Sequence, residues 1–185
     1  AREWGAVTFA VVNFLVAVFI FYRRPERRTS QVVFLISASV LGATTWSLGL
    51  DVVDLIHGWG WWYFAFTTLG AFTLVWVGIL HLVLIFPQRQ SVLEERSWII
   101  PAIYILPYLV ILGNIVLSRF QSQTPLAWLG RWDRPVPYLE SGYTLLILAG
   151  TINGYRTLQD RTARQQSRWV MFALLTVIGF SLTFA

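Results

Sequence analysis

The 185-residue sequence has no cysteine, and every one of its 14 basic side chains is an arginine. Without a thiol, a disulfide framework, a thiolate metal site and a cysteine nucleophile are all excluded. Charge of either sign is scarce. Charged residues make up 12% of the chain, against about 25% in a soluble domain. No phosphate loop, zinc-protease helix or serine elbow occurs, so these residues give no argument for an enzyme. No internal repeat is evident either, which leaves an inverted-repeat transporter without support.

What fills the chain instead is apolar. Hydrophobic residues make up 56%, and the mean hydropathy is +0.61. Both values point to lipid as the solvent. The expected fold class is all-α: a polytopic membrane helix bundle of about six transmembrane helices, forming one domain over residues 1–185. The runs are Trp4 to Tyr22, Gln31 to Leu50, Trp61 to Phe86, Trp98 to Leu117, Tyr138 to Gly154, and Trp169 to Ala185. The first, at about 1.5 Å per residue, covers roughly 28 Å, close to one hydrocarbon core. Barrel strands are excluded because lipid-facing strands alternate over about 10 residues, whereas these runs stay apolar for longer. The opening on Ala1 and the close on Ala185 inside an apolar run predict a domain incomplete at its C-terminus.

Arginine placement sets the orientation. Loops 23–28, 87–97 and 156–168 fall on one side and hold ten arginines, and the other side holds four. The arginine-rich side is expected to be cytoplasmic, which places the N-terminus outside. The net charge of +5 therefore reflects topology, and no nucleic-acid partner is expected. Trp4, Trp59, Trp61, Trp62, Trp128 and Trp132 fall at outer boundaries, and Trp98 and Trp169 at inner ones. This is the pattern of interfacial aromatic belts. Trp46 and Trp76 lie deeper and are expected between helices.

Few residues suggest chemistry. His81 is the histidine within a span. It is read first as a packed side chain bonded to a neighbouring helix, so no cofactor is expected. The sharper alternative is an axial ligand to a haem or a chlorophyll-type pigment. Asp51, Asp54 and His57 recur every three residues at the outer end of the second span. They read as a solvated helix end, or as an outer-face sensor of cations or pH. Gly150 and Gly154 form a GxxxG pair that admits a close helix neighbour. Asn13 and Gly42, the latter in a run rich in small and hydroxyl residues, are expected to face the bundle interior. Arg161, Arg164 and Arg168 form a basic segment suited to anionic headgroups or a cytoplasmic partner.

Several landmarks recur together: Asn13 followed by Arg23-Arg24, Trp46-Ser47-Leu48-Gly49, His81 through Phe86-Pro87, Tyr104 with Pro107, and Arg168-Trp169. In this the chain resembles the N-terminal seven-helix membrane region of bacterial sensor histidine kinases and related signalling proteins. The resemblance implies a bundle that detects a signal and passes it to a cytoplasmic output domain. A seventh helix, a phosphoacceptor histidine and an ATP-binding domain are not among these 185 residues, so kinase activity is not carried over. The expected function is a non-catalytic signal-input module of the bacterial inner membrane. The alternative is a structural or cofactor-holding subunit of an electron-transfer or photosynthetic membrane complex. Expected partners are membrane lipid and other membrane helices or subunits, a homodimer among them.

Overall fold

The computed structural model describes residues 2–44, 70–87, 90–121, 134–158, 161–162, 164–165 and 168. Its elements are α1 (Arg2–Arg23), α2 (Arg28–Thr44), α3 (Phe72–Ile85), α4 (Ser91–Glu95), α5 (Ile99–Gln121) and α6 (Pro135–Thr157). The described residues are thus all-helical, as the long apolar runs require. The Trp46–Gly49 motif, the Asp51, Asp54 and His57 series, Trp59, Trp61, Trp62, Trp128, Trp132 and the sixth span lie outside them.

Among the described residues no helix is long and apolar enough to cross a membrane, so helix length there leaves the expectation of about six spanning helices unsupported. The physical reasons differ by helix. α2 has 17 residues and α3 has 14. α6 has 23 but includes Glu140, Asn153 and Arg156. A second departure lies in loop 87–97, where Ser91–Glu95 forms the short helix α4.

Contacts between side chains fix the helix directions. Phe21 stacks on Phe34, with ring centroids 5.1 Å apart, and Asn13 meets Ser37, so α1 and α2 run antiparallel. Ala71 lies beside Gly42 and Ile36 beside Gly78, which makes α3 antiparallel to α2. His81 pairs with Tyr104 and Gly70 with Tyr108, so α5 runs against α3. Val83 lies against Gly150, while Thr73 and Trp76 lie against Val136 and Leu139, so α6 runs parallel to α3. Successive long helices among those described therefore alternate in direction. The core forms where α3 meets α6: Val77, Leu80, Val83, Tyr143 and Ile147 are buried there.

This alternation gathers one set of helix ends. The C-termini of α1, α3 and α6 lie together with the N-termini of α2 and α5. Arg23, Arg24, Arg27, Arg28, Arg96 and Arg156 belong to that end, and Arg2, Arg119 and Arg134 to the opposite one.

The buried residues are mainly aliphatic but include five hydroxyl side chains, while large apolar side chains stand exposed on the outer helix faces. Ser30, Ser37, Ser39, Thr73 and Thr151 are buried. Phe9, Leu15 and Phe19 on α1, Leu106, Leu109 and Leu117 on α5, and Leu145 and Leu146 on α6 are each more than half exposed. Soluble monomers rarely present contiguous apolar surface on this scale.

Candidate functional site

The polar groups inside the bundle form a series of joints between helices. The first ties α1 to α2, where Ser37 Oγ donates to Asn13 Oδ1 at 3.0 Å. Further along α2, Ser39 Oγ and Thr44 Oγ1 donate back to the carbonyls of Leu35 and Leu41. Hydroxyls bonded to their own helix can be buried without an orphaned polar group. Gly42 completes this face: a Cβ there would stand 3.1 Å from the Ala71 Cβ.

The second joint lies between α3 and α5. His81 Nδ1 and Tyr104 Oη share a 3.0 Å hydrogen bond, with the rings edge to face at 5.7 Å. One turn along α5, Tyr108 Oη donates to the carbonyl of Gly70 at 3.0 Å. Trp76, packed against the same core, buries an indole Nε1 that has no hydrogen-bond partner.

The third joint answers a proline inside a helix. A proline brings no N–H to the carbonyl four residues earlier, and that carbonyl must then find another donor. Within α5 the residue is Pro107, and the carbonyl is that of Ile103. The Tyr143 hydroxyl of α6 donates to this carbonyl at 2.6 Å. The fourth joint closes a helix end: α3 stops at Ile85 with Phe86 extended, which leaves the Val83 carbonyl without a helical donor. Gln90 Nε2 donates to it at 3.3 Å and to the Gly150 carbonyl of α6 at 2.9 Å. The backbone N–H of Gln90 donates to Leu84 O at 3.1 Å, and Asn153 Nδ2 reaches Gln90 Oε1 at 3.4 Å. Gln90 thus caps α3 with its backbone and side chain together, and fastens that cap to α6.

The glycines of α6 make room for this cap. A Cβ on Gly150 would lie 3.2 Å from Val83 Cγ1, and one on Gly154 would lie 3.2 Å from Gln90 Nε2. Only a missing side chain allows so close an approach. Gly78 of α3 is tighter still, since a Cβ there would meet Ile36 Cγ1 at 2.5 Å.

At the basic end, Arg164 Nε donates to Leu158 O at 2.6 Å, just past α6. Arg168 Nε and Nη2 donate to Tyr155 Oη at 3.2 and 3.1 Å, with the guanidinium 5.9 Å from the ring centroid. Cations placed here complement the negative end of a helix dipole.

The structure therefore places Asn13, Gly42, His81, Gly150 and Gly154 at helix contacts. Asp51, Asp54 and His57 are outside the described residues. Among the described residues no group of three or more His, Cys, Asp or Glu could hold a metal ion. Gln90, Tyr143 and Gly78 escaped the sequence reading. For Tyr143 a signal existed, namely Pro107 and the donor that its upstream carbonyl must find.

No protein-family model matches the chain, and neither curated proteins nor solved structures yield a match.

Proposed function

We propose that this chain is a membrane-embedded signal-input module of a bacterial inner-membrane protein. It does no chemistry itself and hands a signal to a cytoplasmic output domain. The observation that carries the membrane half is the exposed leucine and phenylalanine along α1, α5 and α6, around a core that takes in serine and threonine beside its aliphatic side chains. Lipid rewards this arrangement, because small residues let helices approach and apolar ones face the tails. Sequence supplies the spans, since no charge occurs between Glu3 and Arg23 or between Arg96 and Arg119. The gathering of arginines at one end supports an inside-facing assignment for that end. The signalling half rests on the resemblance to sensor-kinase membrane regions. The polar joints give it a physical basis, because hydrogen-bonded contacts between helices can exist in two discrete arrangements.

The test uses the natural absence of cysteine. Single cysteines at Glu26, Ser97 and Thr162 should resist an impermeant thiol reagent added to intact cells and react after permeabilisation. Cysteine at Asp54 should react from outside. Labelling of the first three from outside overturns the reading. The output domain is tested by reading the gene beyond the Ala185 codon.

A second reading keeps the bundle and changes its purpose, making it a cofactor-holding subunit of a larger membrane complex. It is favoured by His81, whose Nδ1 is engaged by Tyr104 as the second nitrogen of a ligating imidazole commonly is. A visible absorption band that His81→Leu removes would establish it.

A further inference from the structure

We propose that the groove between α5 and α6 holds an acyl tail of an anionic phospholipid, with its phosphate between Arg96 and Arg156. The inference rests on the membrane reading above and adds a specific ligand to it. The groove has a volume of about 570 Å³, within the range of small-molecule sites. Its lining holds no charged side chain, and Leu106 and Leu109 face Gly142 and Leu146 across it. Gly142 opens the α6 wall, since a Cβ there would have no neighbour within 4 Å. Nor is the groove a seam that helix packing would simply close. Ile103 and Tyr143, two of its lining residues, are bonded to each other at 2.6 Å, so the helices are already joined there.

The ends of the groove select the occupant. Its lining includes Trp98, at the arginine-rich end where α5 begins, and Tyr138 toward the other end of α6. Such aromatic side chains favour headgroup level. Arg96 immediately precedes this mouth and is exposed. Arg156, also exposed, follows Gly142 by 14 residues. At about 3.6 residues per turn, that spacing returns it to nearly the same α6 face. Glu94 and Glu95 stand exposed just before Arg96, but Arg23, Arg24, Arg27 and Arg28 share this end and leave it net positive, so the uncharged trough suits an apolar tail carrying an anionic head.

The test reconstitutes the full chain in vesicles holding equal amounts of dioleoyl phosphatidylglycerol and dioleoyl phosphatidylcholine. After mild detergent extraction, native mass spectrometry counts the lipids retained per chain. The expected result is one phosphatidylglycerol, retained at least fivefold over phosphatidylcholine. Gly142→Trp, which fills the trough, should abolish that retention. Gly113→Trp, at another open glycine of α5, should leave it unchanged. The exposed double variant Arg96→Gln/Arg156→Gln leaves the trough intact and should equalise the two lipids, keeping the proposal testable if Gly142→Trp fails to fold. Equal retention of both lipids by the wild type overturns the proposal. So does a dimer that Gly142→Trp dissociates without changing lipid retention, which would make a second copy the occupant. A chain washed from membranes by alkaline carbonate overturns the membrane reading itself, whereas a carbonate-resistant chain without lipid preference overturns the groove alone.

Discussion

Tyr143 donates its hydroxyl to the carbonyl of Ile103, the acceptor that Pro107 leaves without a helical N–H. One contact thereby repairs a break within α5 and fastens α5 to α6. Removing the hydroxyl exposes both roles. Tyr143→Phe keeps the ring and should cost about 1 to 3 kcal/mol, the usual penalty for an unsatisfied buried carbonyl. The same substitution in a Pro107→Ala background should cost clearly less, because residue 107 then supplies its own N–H. Thermal unfolding of the four proteins, followed by circular dichroism in one detergent, measures the difference. Equal losses in both backgrounds would show that the hydroxyl does not stand in for the missing amide.

Gln90 closes the end of α3, giving its side chain to the Val83 carbonyl and its backbone N–H to that of Leu84. Gln90→Leu removes the donor to Val83 and Gly150 together, and should destabilise by about 1 to 3 kcal/mol. Gln90→Glu keeps the length but offers oxygens where donors are needed, so it should be no better than leucine. Hydrogen exchange at the ends of α3 and α6 should rise in both variants. Unchanged exchange at the α6 end would mean that the cap does not reach that helix.

Space alone separates the glycines. Gly78→Ala places a methyl 2.5 Å from Ile36 Cγ1, and overpacking of this kind costs about 1 to 3 kcal/mol. Adding Ile36→Ala should recover part of that loss. Gly142→Ala meets nothing within 4 Å and should stabilise by about 0.5 to 1 kcal/mol, since alanine is the better helix former. Melting temperatures that move the same way in both variants would contradict this division.

How much of this was legible beforehand depended on whether a signal was local. The helix starting near Trp4 and the turn at Pro25 announce themselves through apolar runs and the arginine cluster. Gly150 and Gly154 could be placed because their spacing matches one helix turn. Gln90 could not, because nothing beside it in the chain distinguishes it from other polar loop residues, and one of its partners lies 60 residues away. Gly78 is silent for a related reason, as its importance is a distance to Ile36 on another helix. The helix α4 spans five residues, too few for periodicity to show. Pro107 and Pro87 were visible throughout as interruptions, although the donor that Pro107 would recruit was not.

His81 and Tyr104 allow a coupling measurement. If their 3.0 Å contact serves packing, a double-mutant cycle of His81→Leu and Tyr104→Phe should return about 0.6 kcal/mol and at most about 1.7, the mean and maximum for interhelical hydrogen bonds in lipid, the solvent proposed for this chain. Neither variant should alter any visible absorption. A coupling near zero would assign the stability of this region to ring packing rather than to the hydrogen bond.

Helix α3 is met by α2 at Gly78, by α5 at His81 and by α6 at Val83. A helix enclosed on three sides has few positions where a substitution goes unnoticed, whereas α1 is free to change along most of its length. In a library of random variants, tolerated changes should therefore thin out toward the middle of the chain and accumulate at its beginning. The two ends of the first hairpin could drift, or be exchanged for another hairpin, while α3 stays nearly as it is.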